Sequence, residues 1–113
     1  MTEPEPNRPD VRVLVQAIRS ELEGMVEGKL FAIAHPSNGN GHQHYVIIQT
    51  LLEPEIKSKT ICEATKYDKL VRCTVYSDNG IVDKIRSIVK ESLVSTNLKT
   101  RVYIKPPKKY IPA

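Results

Sequence analysis

Residues 60–93, TICEATKYDKLVRCTVYSDNGIVDKIRSIVKESL, decide the fold, because two alternating β runs pass directly into an amphipathic helix. Residues 60–77 read as a hairpin turning near Tyr67 and Asp68. That register sets Cys62 opposite Cys73, Ala64 opposite Val71 and Thr60 opposite Val75 on one side. On the other side Glu63 faces Arg72 and Ile61 faces Thr74, so pattern and charge agree. A second reading pairs residues 70–77 with residues 44–52 and leaves 53–68 as a projecting arm or loop. Both hold together if 70–77, which has two edges, is the central strand. Asp78-Asn79-Gly80 then caps a helix whose apolar stripe is Ile81, Ile85, Ile88, Val89 and Leu93, with Lys84, Arg86 and Lys90 on the wet face and Asn97 closing it.

Upstream, the same design appears once more. Asp10 stands at an N-cap position, and Val11, Leu14, Ile18, Leu22 and Met25 follow at steps of three and four, with Gly28 as the left-handed stop. Residues 29–35 alternate as a strand, Leu30, Ala32 and Ala34 against Phe31, Ile33 and His35, with both faces expected to be at least partly buried. Two Asn-Gly pairs within residues 36–41 mark a turn, and 44–52 is a β-branched strand ended by Glu53-Pro54. Residues 101–105 alternate as a last, edge strand ended by Pro106-Pro107.

The expected fold is therefore α+β: an antiparallel sheet of about four strands with two helices packed on it, order α-β-β-β-α-β, and a projecting loop or hairpin arm at 51–67. Residues 1–9, with three prolines among polar neighbours, read as a flexible arm, residues 10–105 as a single domain, and 106–113 as an extended, largely unpacked basic tail.

With 113 residues, 40% hydrophobic, no Trp and one Phe, the chain can bury one modest core of Val, Ile and Leu, and small domains of this kind gain stability by associating. No stretch approaches the length of a membrane span, and the start lacks a basic-then-apolar signal, so a cytosolic site of synthesis and no membrane are expected. Cys62 and Cys73 lack CxxC spacing and are expected as thiols. The formal charge of +4 is uneven: residues 1–10 carry −2 and 97–113 carry +5, which leaves the body at +1. Basicity thus belongs to the end of the chain, and a broad phosphate-tracking face on the domain is not expected.

Candidate chemistry is sparse. His42 and His44, with His35 nearby, could share a strand face as metal ligands, but a third ligand would have to come from Cys62 or Cys73, and no acid is close in sequence. Cys73 as a nucleophile with His44 as base fails because its neighbours Val71 and Val75 place it in a core. No serine sits in a GxSxG turn, and neither glycine loop has phosphate-cradle spacing. No catalytic residue, metal or cofactor is expected. Lys105-Pro-Pro-Lys-Lys-Tyr110 is a docking candidate, with Tyr110 as a stacking face for nucleic acid or, the favoured form, as part of a contact with a protein partner. Leu51, Leu52, Ile56 and Ile61, mixed with Glu53, Glu55, Lys57, Lys59 and Lys66, suit an arm that reaches over a neighbouring subunit.

The opening helix ending in Gly, the strand Lys-Leu-Phe-Ala-Ile-Ala-His-Pro36, the Gly-rich gap, His-Tyr-Val-Ile-Ile-Gln49, a charged excursion, and Leu-Val-Arg-Cys-Thr-Val-Tyr-Ser77 with a helix just after it carry a resemblance over about residues 10–105. In these features the chain resembles the tail terminator, or tail completion, proteins of long-tailed bacteriophages. The resemblance implies a non-enzymatic virion protein, made in the host cytoplasm. It forms a homo-oligomeric ring, commonly a hexamer, at the head-proximal end of the tail. The ring halts tube polymerisation and joins the tail tube protein to the head connector, and DNA passes through the lumen without specific binding. Carried onto this sequence, Leu52, Glu53, Ile56, Lys57 and Lys59 are expected subunit contacts, with Glu63 and Arg72 on the adjoining sheet. Asn38, Asn40, His42, Lys108, Lys109 and Tyr110 are expected at the tube or connector. The basic tail has no counterpart in the family pattern. Two other readings remain: a head-to-tail adaptor (neck) protein, and a small nucleic-acid-binding module using that tail.

Overall fold

A computed structural model describes residues 11–35, 43–67, 69–77, 80–92 and 98–112. In chain order the elements are α1 (Val11–Leu22), β1 (Lys29–His35), β2 (Gln43–Leu51), β3 (Lys57–Tyr67), β4 (Leu70–Tyr76), α2 (Ile81–Ser92), β5 (Lys99–Lys105) and β6 (Ile111–Pro112). The class is α+β with two helices on a mostly antiparallel sheet, as expected. The sheet, however, has six strands rather than about four, and four of them separate the helices.

The stripe in α1 buries Val11, Leu14, Val15, Ile18 and Leu22, and that in α2 buries Ile81, Val82, Ile85, Ile88 and Val89. Both helices lie on one face of the sheet, where they meet Leu30, Ile47, Cys62, Ala64, Val71, Cys73 and Val75 in a single core. Lys84 Nζ lies 3.3 Å from Glu21 Oε2 and ties the helices across their wet sides. α1 ends at Leu22, so Met25 is half exposed instead of completing the stripe. Gly28 does not stop the helix; it carries φ 82° at the entrance to β1, a left-handed conformation that glycine adopts without steric cost. The proposed caps at Asp10 and Asp78-Asn79, and Leu93 and Asn97, lie outside the described residues. The first helical N–H, that of Val11, donates to Gln43 Oε1 at 3.3 Å.

The strand order is β1-β2-β3-β4-β5. The first three pairings are antiparallel and β4-β5 is parallel. The expectation of an all-antiparallel sheet is corrected here, and the reason is connectivity: α2 spans the crossover that parallel neighbours require. The β3-β4 register also differs from the expected one. Cys62 faces Val75, Glu63 faces Thr74, Ala64 faces Cys73 and Thr65 faces Arg72, a shift of two residues that keeps every side chain on its expected face. Residues 70–77 do not pair with β2 as their second edge; β3 lies between them and is the central strand.

The projecting arm at 51–67 is likewise corrected. Most of it is β3 itself, and the excursion shrinks to residues 52–56. A bulge hid the strand: β2-β3 pairing steps from Ile47–Cys62 to Ile48–Thr60, so Ile61 is the extra residue, and Ile61 and Cys62 are both buried although adjacent. The tail is not unpacked either. Beyond β4, the β3 edge at Lys57 and Ser58 pairs with Pro112 and Ile111, so the C-terminal segment clips onto the sheet where β4 has ended.

Gln49, one of two buried polar residues among those described, donates through Nε2 to the Glu27 carbonyl at 2.7 Å and fastens the α1-β1 connection to β2. Gln49→Leu keeps the volume and leaves that carbonyl without its partner, so the unfolding free energy is expected to fall by about 1–3 kcal/mol, measured by urea unfolding with far-UV circular dichroism. An unchanged midpoint would show that the bond is dispensable.

Candidate functional site

Both helices cover one face of the sheet, the other is open among the described residues, and strand alternation assigns each residue to a face. On the open face, β1 contributes Phe31, Ile33 and His35, paired with Ile48, Val46 and His44 of β2. Phe31 is 48% exposed and Ile33 43%, on a strand both of whose faces were expected to be at least partly buried, while Val46 is covered by its neighbours. β1 is also an edge strand, and between Lys29 and His35 it carries no charge and no proline. Natural edges are usually blunted by such residues. The opposite edge, β5, follows that rule with Lys99, Arg101 and Lys105.

The same face changes character across β3, β4 and β5. Parallel pairing sets Arg72 beside Arg101, Thr74 beside Tyr103 and Tyr76 beside Lys105. The Arg72 guanidinium lies 5.4 Å from the Tyr67 ring and 5.6 Å from the Tyr103 ring, and Lys108 Nζ lies 4.5 Å over Tyr76. Such cation–π contacts hold positive charge at the surface against aromatic faces. Arg72, Thr74, Tyr103 and Lys105 line a concavity of about 340 Å³. Hydrogen bonding from Arg101, reinforced by its charge, draws the Tyr103 phenol below its ordinary pKa.

Glu63 is the acidic residue at the centre of this face. Tyr76 Oη donates to Glu63 Oε2, and His44 Nε2 lies 3.6 Å from Glu63 Oε1. Burial, then the hydrogen bond to Glu63, pushes the Tyr76 phenol up to about 12. An unfolded phenol titrates near about 10, so below that pH both states keep the proton; above it the unfolded chain loses its proton first, and stability falls as pH rises toward 12. Urea midpoints are expected to decline between about pH 9.5 and about pH 11, and to decline less steeply in Tyr76→Phe. Parallel declines in the two proteins would remove Tyr76 from the account.

The residues singled out from sequence fall into separate places. Leu52, Glu53 and Ile56 are exposed together on the 52–56 turn, Leu52 at 50% and Ile56 at 54%. Lys57 and Lys59 lie under the tail, their ammonium groups 5.3 and 4.4 Å from the Tyr110 ring. Tyr110 and Lys108 therefore pack on their own sheet, and Lys109 is exposed. Beneath the tail a cleft of about 280 Å³ is lined by residues that include Met25, Gln49, Lys59, Tyr76 and Tyr110. Glu63 and Arg72 do not pair with each other; both stand on the open face. Asn38, Asn40 and His42 lie outside the described residues.

His35 and His44 stack with ring centroids 5.0 Å apart on the open face. Cys62 and Cys73 belong to the helix-covered core, their sulfurs 3.4 Å apart, so the sheet separates the imidazoles from the thiols. Both cysteines are free and buried, and hydrogen bonding with Cys73, followed by burial, pushes the Cys62 thiol up. Among the described residues no three His, Cys, Asp or Glu side chains cluster as a metal site, and no helix is long and apolar enough to cross a membrane.

Sequence reasoning missed Phe31 and Ile33 as surface residues and the tyrosines 67, 76 and 103 as a set. The signal for the first was the uncharged run from Leu30 to Ala34; for the second, it was the shared parity of Arg101, Tyr103 and Lys105. No family model, curated protein or solved structure matches the chain.

Proposed function

We propose that this chain is a non-enzymatic structural protein whose copies associate into a closed ring, and that the ring is the tail terminator of a long-tailed bacteriophage. It caps the head-proximal end of the tail tube, stops its polymerisation and joins it to the head connector. The observation that carries the reading is β1, an unblunted edge strand that presents Phe31 and Ile33 on the face opposite α1 and α2, which no helix covers among the described residues. An apolar edge of this kind is a liability in a monomer and an asset in an assembly. Leu52 and Ile56 on the 52–56 turn add exposed apolar surface, and Glu53, Lys57 and Lys59 supply charges of both signs that orient a contact. The order of helix, strands, helix and strand that carries the phage resemblance also supports the narrower assignment.

Native mass spectrometry of the full chain, alone and with the tail tube protein of the same virion, tests the ring. A closed assembly of about six copies is the expected result, since repeated head-to-tail contacts that close by rotation give a ring. A monomer under both conditions overturns it. Tails assembled without the protein are expected to be overlong in electron micrographs; tubes of normal length that lack only heads would favour the head-to-tail adaptor instead.

A further inference from the structure

We propose that the helix-free face of β3, β4 and β5 binds single-stranded nucleic acid, with unpaired bases stacking on Tyr103 and the Arg72 guanidinium and phosphates meeting Arg101, Lys105 and Lys108. The proposal stands apart from the ring reading, which is tested by mass.

Charge counted by sequence segment places the basicity at the end of the chain, on an edge strand and a loose tail, and so argues against such a face. The fold changes what that basicity means. β5 and the C-terminal clip are built into the sheet, so Arg101, Lys105 and Lys108 join Arg72 on one side of the protein. The carboxylate among them, that of Glu63, accepts from the Tyr76 phenol and lies 3.6 Å from His44 Nε2. By contrast, the surfaces of the helices mix both signs, as in the Arg19–Glu23 pair at 3.6 Å and the Lys84–Glu21 pair. The complement of the β3-β5 face is a polyanion.

Aromatic side chains narrow the class further. Tyr67, Tyr76 and Tyr103 lie on the same face, each with a cation against its ring. Tyr103 is 39% exposed and borders the 340 Å³ concavity, where a planar group can lie against phenol and guanidinium while an anionic group reaches Lys105. Alternating cations and aromatic platforms on an open sheet suit a chain that is both polyanionic and rich in planar groups. An acidic peptide would use the cations and leave the rings idle. A duplex keeps its bases stacked internally and offers them no face.

The test is fluorescence anisotropy of the full chain with a labelled oligothymidylate of about 15 nucleotides, a length on the scale of one single-strand site. Saturable binding that weakens with salt is expected, because phosphate contacts release counterions. Tyr103→Ala is expected to weaken binding about tenfold with little change in salt slope, and Tyr103→Phe, which keeps the ring, to restore it. Arg72→Gln and Lys105→Gln are expected to weaken binding and flatten the salt slope. All three positions substituted are at the surface, and thermal melts of each variant establish that it folds. Absence of saturable binding at low salt overturns the proposal. So does equal affinity for duplex DNA or for a polyglutamate peptide, or a Tyr103→Ala variant that binds as the parent does, since each would reduce the face to unspecific charge.

Discussion

Gly28→Ala is expected to lower the unfolding free energy by more than about 3 kcal/mol, while Gly24→Ala leaves it unchanged or slightly higher. The two glycines are four residues apart in the same connection and differ in what surrounds them. At Gly28 the backbone has φ 82°, and an added Cβ would press on the Thr50 carbonyl oxygen and stand 2.9 Å from Leu51 Cδ2. The left-handed conformation alone costs an L-residue roughly 1–2 kcal/mol. The contact adds to this because its partner is backbone of β2, which cannot rotate away as a side-chain end can. Relief requires β1 to move off β2 at the Lys29–Thr50 pair, which also strains the 2.7 Å bond from Gln49 to Glu27. At Gly24 an added Cβ has nothing within 4 Å, and the change reduces the freedom of the unfolded chain. Gly28→Asn separates the two causes, because asparagine tolerates the left-handed region but still carries a Cβ; its loss is expected to stay close to that of alanine. Urea unfolding followed by far-UV circular dichroism reads all three. A Gly28→Ala midpoint equal to that of the parent would mean that the connection has another way to pack.

The joint at Gly28 shows how far the sequence could be read. Position 28 was recognisable as needing glycine, and the reason assigned was the end of a helix. The helix in fact stops at Leu22, and the glycine serves a close approach between the connection and β2 that no local pattern encodes. The helix stripes were legible because Ile18, Leu22, Ile85 and Val89 repeat at the helical period, and β1 was legible to the residue because it alternates without interruption. β3 was legible only from Thr60 onward, since the bulge at Ile61 breaks the alternation and makes Lys57 to Lys59 look like part of a loop. Register escaped for a different reason. Burial constrains which face a residue takes, and a shift of two positions satisfies it equally, so only the turn between Tyr67 and Leu70 settles the pairing. The parallel β4-β5 pair did have a signal, the helix between two strand-like runs, which was read as a helix followed by an edge without asking what the connection permits.

The C-terminal segment matters most for the candidate surfaces. Two residues, Ile111 and Pro112, form β6, too few to show any period, and they draw a segment expected to be an unpacked tail, Lys108 included, onto the sheet. Once β5 and β6 are placed, the open face divides into an apolar half on β1-β2 and a cationic, aromatic half on β3-β5. The division lets two different contacts coexist on one small sheet, since apolar packing and phosphate pairing draw on different strands.

Substituting glutamate at both Phe31 and Ile33 is expected to abolish self-association of the chain while leaving it folded, raising the dissociation constant by more than about 100-fold. Folding survives because each side chain is already about half exposed and points away from the helix-covered core. Association fails because two carboxylates would have to be stripped of water against an apolar partner surface without cations to meet them. They also supply the kind of charge that ordinarily blunts an edge strand. Val13→Glu is the matched control: Val13 is more exposed still, at 64%, but it sits on α1, which packs on the opposite face of the sheet from Phe31 and Ile33, and its substitution is expected to leave assembly intact. Leu52→Glu with Ile56→Glu tests the turn as a separate contributor, and a smaller loss is expected there because the 52–56 segment has no strand edge to offer. Sedimentation velocity over a range of concentrations distinguishes the outcomes. If the Phe31 and Ile33 variant assembles like the parent, β1 is not the contact; if only the turn variant dissociates, the excursion after β2 takes over that role and the apolar edge must be covered in some other way.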